Sequence, residues 1–204
     1  MRACVHDLVR IGPATRARLE LPAWAEASLA RASWVVVRRA CERDGVAVGV
    51  RGATRGERCA TAIADSDILA RQRPEDLVSA VYSSAGALAD AARQLDGAAR
   101  ACGLVWGPTG SYAFELASGT KATHAASDLD CIVRTTGATP AALLAFARRC
   151  GEIARTQHTR IDAELAFAGF GIALADFVTG GRRIVAKTPG GPAFVDRASL
   201  AWRA

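Results

Sequence analysis

Short apolar runs broken by glycine and proline dominate the chain, and their period changes near residue 74. Before that point they read as strands. Trp34 to Val37 is an unbroken apolar run, and Gly45 opens Val46-Ala47-Val48-Gly49-Val50, which ends at Arg51-Gly52. Leu8-Val9 is a shorter apolar patch behind His6-Asp7. Between them Pro22 opens a helix of about ten residues through Ala32.

From Pro74 the pattern becomes helical. Pro74 suits the first helical position, and Glu75 and Asp76 follow where the helix dipole favours carboxylates. The alanine-rich stretch reaches about Ala101, with Gly97 as its expected break and Gly103 as its end. Thr139 and Pro140 start a second helix, with the threonine as N-cap, ending near Gly151. Strands are expected at Cys131-Ile132-Val133, closed by Gly137, and at Arg160 to Leu165, which alternates polar and apolar. Ile172–Val178 and Arg183–Lys187 would pair as a hairpin about Gly180-Gly181. The polar Arg71-Gln72-Arg73 before Pro74 marks a boundary. The expectation is an α/β (α+β) protein of two modules, residues 1–73 and 74–204, with a mixed sheet flanked by helices in the second.

The candidate chemistry lies between Trp106 and Arg134. Gly110-Ser111 sits in a small-residue turn after Leu104-Val105-Trp106, and Ser127-Asp128-Leu129-Asp130 leads straight into the next strand. Residues i and i+2 of a strand share a face, so Asp128 and Asp130 aim at one spot while Leu129 turns into the core. Two carboxylates that close repel unless a cation lies between them or one is protonated. Magnesium is the natural cation, because it is hard and is commonly shared between carboxylates and a substrate phosphate. A Gly-Ser turn offers N–H groups and a hydroxyl to phosphate oxygens. In this order the two features form the pattern of nucleotidyltransferases, whereas an isolated Asp-x-Asp is more often a pair of surface carboxylates.

The formal net charge of +6 suits a phosphate-rich or acidic partner, although an alanine- and arginine-rich composition yields the same charge without function. No basic block with interleaved aromatics is present, so nucleic acid is not expected. If residues 53–58 are helical, Arg51, Arg55 and Arg58 share a face and form a phosphate-binding surface; the alternative is a solvated face that also carries Glu57. Six scattered cysteines without a C-x-x-C read as reduced thiols of a cytoplasmic protein. Asp7 and Arg10 interrupt any secretory signal, and no apolar run is long enough to span a membrane.

Several phrases together are more specific than any one of these. They are His6-Asp7-Leu8-Val9, Val48-Gly49-Val50-Arg51-Gly52 with Arg55 and Arg58, Trp106-Gly107-Pro108, Gly110-Ser111, Phe114-Glu115-Leu116-Ala117-Ser118-Gly119, Ser127-Asp128-Leu129-Asp130 and Arg160-Ile161-Asp162. On these the chain resembles the malonate decarboxylase holo-acyl-carrier-protein synthases, the phosphoribosyl-dephospho-CoA transferases of the nucleotidyltransferase superfamily. The resemblance implies a triphosphoribosyl-dephospho-CoA donor, an acyl carrier subunit as acceptor, and Mg²⁺ held by Asp128, Asp130 and a third carboxylate, Asp162. It also implies substrate contacts from Gly110, Ser111, Arg51, Arg55 and Arg58. Glu164 faces the same way as Asp162 and is its rival or helper; His6 is a further candidate, and His124 lies near the carboxylates. Cys131 stands where an aliphatic is expected and Ser118 where threonine is usual, but every carboxylate is retained. Another Mg²⁺-dependent nucleotidyltransferase, or a non-catalytic module on the same fold, stays open.

Overall fold

The computed structural model describes residues 3–40, 45–54 and 56–200, so Cys41 and Arg55 lie outside the described residues. Strands β1 (Leu8–Ile11), β2 (Trp34–Val37), β3 (Val46–Arg51), β4 (Arg58–Ile63) and β5 (Ile68–Gln72) form one sheet in the order β4-β3-β2-β1-β5. Every pair in it is antiparallel. Helices α1 (Pro13–Arg18) and α2 (Ala23–Arg31) lie in the β1–β2 connection. Alternation gives this sheet two different faces. Val9, Val35, Val37, Val48 and Val50 pack with Ala25 and Leu29 of α2, so that face is closed.

The second sheet contains β6 (Trp106–Pro108), β7 (Leu129–Arg134), β8 (Ile161–Ala166), β9 (Gly171–Ala173), β10 (Arg183–Thr188) and β11 (Gly191–Asp196), in the order β11-β10-β9-β8-β7-β6. It is mixed: β7 and β8 run parallel and the other pairs antiparallel. The parallel pair needs a crossover, supplied by α6 (Pro140–Thr156), whose N-cap Thr139 accepts a hydrogen bond from Ala142 N at 3.2 Å. Leu129, Cys131, Val133, Leu165, Ile172 and Ala186 share a core with Leu95 of α4 (Ala87–Ala101), Leu143 and Phe146 of α6 and Phe177 of α7 (Leu174–Thr179). Helices therefore cover one face of this sheet, and its other face is turned toward the first module. The two halves meet along an apolar seam in which Leu8 and Val36 pack with Leu77 and with Ala113 and Phe114 of α5 (Gly110–Ser118).

Four local expectations change. The described residues 53, 54, 56 and 57 do not form a helix but lie in the turn of the β3–β4 hairpin, in which Arg51 and Arg58 are direct cross-strand partners. Gly52 is required by that turn, since a Cβ there would stand 2.4 Å from Glu57 Cβ and 2.8 Å from the Trp24 ring. The alanine-rich stretch breaks at Gly86, whose φ of +102° suits glycine, not at Gly97; it comprises a short turn at Pro74–Leu77, α3 (Val78–Ser83) and α4. Likewise α6 runs past Gly151 to Thr156, because Cys150 and Ile153 keep its apolar face in the core. Finally, 174–179 is helix α7: Leu174 and Phe177, three apart, both reach the core. A short apolar run fits either period. The hairpin is instead β10–β11, with Thr188 opposite Gly191.

Candidate active site

The parallel β7–β8 pair sets the site. Its register puts Asp130 directly beside Asp162 and Ile132 beside Glu164. Leu129, Cys131 and Leu165 are buried on the helix side, so Asp130, Asp162 and Glu164 project from the opposite face. Asp128 precedes β7 by one residue, and Arg160 precedes β8 in the same way. The Arg160 guanidinium lies between two carboxylates, 2.9 Å from Asp162 Oδ2 and 3.7 Å from Asp128 Oδ2. As the side chains stand, no group of three or more His, Cys, Asp or Glu is gathered to hold a metal ion among the described residues. Asp128 and Asp162 are compensated by a cationic side chain that is itself two-thirds exposed, at 67%.

Gly110 opens α5 with φ +63°, and a Cβ there would fall 2.1 Å from Asp130 Oδ2. The glycine is thus required by the close approach of the carboxylate as well as by the backbone. The first N–H groups of α5 have no carbonyl of their own helix to bond, and Thr109, Gly110, Ala113 and Phe114 border the cleft. Ser111 is half-buried and does not line that cleft. The other end of α5 explains the Phe114–Gly119 phrase. Ser118 Oγ donates to Phe114 O at 2.6 Å, and Gly119 ends the helix in the left-handed region. Glu115 Oε2 accepts from Ala122 N, Thr123 N and Thr123 Oγ1, and Lys121 Nζ donates to Oε1. Burial opposes ionisation of Glu115, but these donors outweigh it and hold the carboxyl down at about 2. Glu115 therefore anchors the loop that delivers Ser127 and Asp128. His124 belongs to this loop's own turn, where its Nδ1 accepts from Ala126 N at 3.2 Å.

The first module supplies the facing wall. Val36, Gly49 and the Arg51–Arg58 pair lie on the open face of its sheet, since Val36 pairs with Gly49 and Arg51 is two residues further on. With Arg38, Arg39, His6 and Lys187 they border a cleft of about 420 Å³ whose far wall carries Asp130, Asp162 and Glu164. Arg38, Arg39, Arg51 and Arg58 thus line one side, and the carboxylates line the other together with Lys187 of β10. Arg51 and Arg58 both reach the cleft, as a cross-strand pair rather than along a helix.

Glu164 ties the two walls together. It is buried, and its Oε1 accepts from Arg39 at 2.6 Å and His6 Nε2 at 3.1 Å, while Oε2 accepts from Lys187 Nζ at 3.0 Å. Burial alone would raise its pKa, but His6 and Arg39 outweigh that and hold it far below the usual carboxylate range. His6 is placed for this contact by a left-handed backbone, φ 73°, that few non-glycine residues adopt. Its neighbour Asp7 is fully buried and pairs with Arg71 at 2.6 Å, so the His6-Asp7 phrase divides into one cleft residue and one core residue. Glu164 is a ligand of cationic side chains, which sequence spacing alone did not distinguish from a metal carboxylate. His6, Arg39 and Lys187 are far from it in sequence and carry no motif that pointed to it.

Glu164→Ala is expected to destabilise the protein by about 3 kcal/mol at neutral pH, because it leaves the buried Arg39 guanidinium without its carboxylate. A depressed carboxylate pKa contributes stability above the unfolded-state value, here 4.5, and loses it as pH falls toward the folded-state value. The gap between wild type and variant in urea denaturation should therefore narrow as the pH drops below 4.5. A gap independent of pH would assign the loss to packing.

Two family models cover nearly the whole chain. "Phosphoribosyl-dephospho-CoA transferase MdcG N-terminal domain" matches residues 4–74, and "Phosphoribosyl-dephospho-CoA transferase MdcG C-terminal domain" matches 76–198. A phosphoribosyl-dephospho-CoA transferase of Pseudomonas putida strain W619 is 38% identical over 188 residues, 90% of this chain and 88% of that one. Another from Pseudomonas putida is 38% identical over 192 residues, 93% of this chain and 92% of its own. One from Pseudomonas fluorescens strain Pf0-1 is 44% identical over 131 residues, 64% of each chain. No solved structure matches. Over nearly its full length the chain belongs to the phosphoribosyl-dephospho-CoA transferase family of enzymes.

Proposed function

We propose that this enzyme moves the 2′-(5″-phosphoribosyl)-3′-dephospho-CoA group from its triphosphate precursor to a serine of the apo acyl carrier subunit of malonate decarboxylase. The observation that carries this reading is the Asp130–Asp162 register pair facing a cation-lined cleft. The serine oxygen attacks the phosphorus next to the ribose, the bond from that phosphorus to the bridging oxygen breaks, and pyrophosphate leaves. Arg51, Arg58, Arg38 and Lys187 attract and orient the phosphates. Gly110 lets Asp130 stand against the start of α5, whose N–H groups meet a phosphate oxygen. Asp162 accepts the serine proton.

Hard carboxylate oxygens on neighbouring strands, about 5 Å apart at the backbone, fit a magnesium ion once the exposed Arg160 swings aside. Asp128, Asp130 and Asp162 would hold it. Bound there, it supplies neutralisation of the triphosphate and of the departing pyrophosphate. We assign the reaction to the cytoplasm, a reading supported by the free thiols Cys59, Cys102, Cys131 and Cys150. No helix among the described residues is long and apolar enough to cross a membrane.

Mass spectrometry of the apo carrier after incubation with enzyme, donor and Mg²⁺ tests the assignment. The expected result is a single adduct of the phosphoribosyl-dephospho-CoA group on serine, with one pyrophosphate released. Nucleotidylation of the carrier or of a small molecule from ATP, without transfer from the CoA-derived donor, would overturn it in favour of another nucleotidyltransferase.

A further inference from the structure

The open face of the second sheet does not end at the cleft. Register across the sheet sets Ile132 beside Glu164 and Glu164 beside Ala173. Lys187 pairs with Gly171 and Ala186 with Ile172, so one more step along that ladder brings Val185 level with Ala173. Val185 pairs with Phe194 on β11. One transverse row thus runs from the catalytic strands to the sheet's outer edge, on the same face as Asp130 and Asp162. At about 4.8 Å per strand, Val185 is roughly 10 Å and Phe194 roughly 14 Å from Glu164 along this row.

That outer end is apolar and uncovered. Phe194 is 62% exposed and Val185 41%. Cations surround it. The Arg183 guanidinium lies over the Phe194 ring, 4.7 Å from its centroid. Lys187 joins the patch to the cleft through Glu164, and Arg182 flanks it. Asp196, paired with Arg182 at 2.9 Å, is the single carboxylate among residues 182–196. Val185 and Phe194 do not line the cleft, so the patch lies beyond the volume assigned to the donor.

We propose that the exposed face of the β10–β11 hairpin, centred on Phe194, Val185 and Arg183, docks the acceptor protein through an apolar spot ringed by carboxylates. This rests on the acceptor being a protein, as proposed above. Charge selects the occupant: a second copy of this chain, itself carrying +6, would set cations against cations, whereas an acidic surface complements them. The distance selects it too. A protein seated on Phe194 can reach the half-exposed Asp162 on the cleft wall with a surface serine while its own body stays outside the cleft that holds the donor. The exposed aromatic supplies the anchor and the arginine above it the orienting charge.

The test uses the full chain and the apo acyl carrier subunit. Phe194→Ser and Arg183→Glu should each raise the KM for the carrier by about tenfold or more. The donor Kd, measured calorimetrically without carrier, and the melting temperature should not change. Replacing an acidic residue of the carrier by lysine should restore the KM of Arg183→Glu in part. If wild-type enzyme modifies no carrier, the function assigned above fails and this surface falls with it. If wild type modifies the carrier and both variants keep its KM, only the docking surface is refuted. Weaker donor binding with an unchanged carrier KM would make the patch a donor subsite. Conversion of a dimer to a monomer on sedimentation would make it a self-interface.

Discussion

Asp130→Asn should reduce transfer by about a thousandfold or more while leaving the fold intact. The substitution keeps the shape that packs against Gly110 and removes a charge from the centre of the site. Several kcal/mol of charge stabilisation at a phosphoryl centre corresponds to that factor. Asp128→Asn should behave in the same way for activity. Its pair with Arg160 contributes little to stability, because the two groups lie 3.7 Å apart and the arginine is exposed. Relieving like-charge repulsion can even raise the melting temperature slightly. Rates at saturating carrier, read by mass spectrometry over a Mg²⁺ titration, provide the check. Near-normal turnover of either variant with Mg²⁺ would remove these aspartates from the reaction.

Arg51→Ala and Arg58→Ala should each weaken donor binding by about ten- to a hundredfold, the loss of one charge-assisted contact to phosphate. The carrier KM should change little. Because the two guanidiniums spring from one cross-strand pair, the double variant should lose less than the product of the single effects. Arg55→Ala completes the series from the sequence-level triad. Calorimetric donor Kd and steady-state carrier KM, measured separately, decide the outcome. Unchanged donor affinity in all three variants would leave the arginines as a solvated face; a rise in carrier KM alone would make them a docking surface.

Read residue by residue, the chain carried the local chemistry of its site. Period-two alternation fixed which way Asp130, Asp162 and Glu164 project, because side-chain direction along a strand is a backbone property; Asp128 stands one residue before β7, outside that alternation. The glycine of Gly110-Ser111, the N-cap at Thr139 and the strands at Trp34–Val37 and Val46–Arg51 are likewise local and were legible. Tertiary packing decided the rest. Whether Leu174–Thr179 curls or extends depends on which core receives Leu174 and Phe177. Arg51 and Arg58 meet through a hairpin, since pairing across a turn brings together residues that no helical period relates. Above all, the role of Glu164 rests on His6, Arg39 and Lys187, drawn from both modules. Its spacing from Asp162 matches that of a metal ligand, but a carboxylate's role follows from the cations that reach it, and those arrive only when the two sheets close on each other.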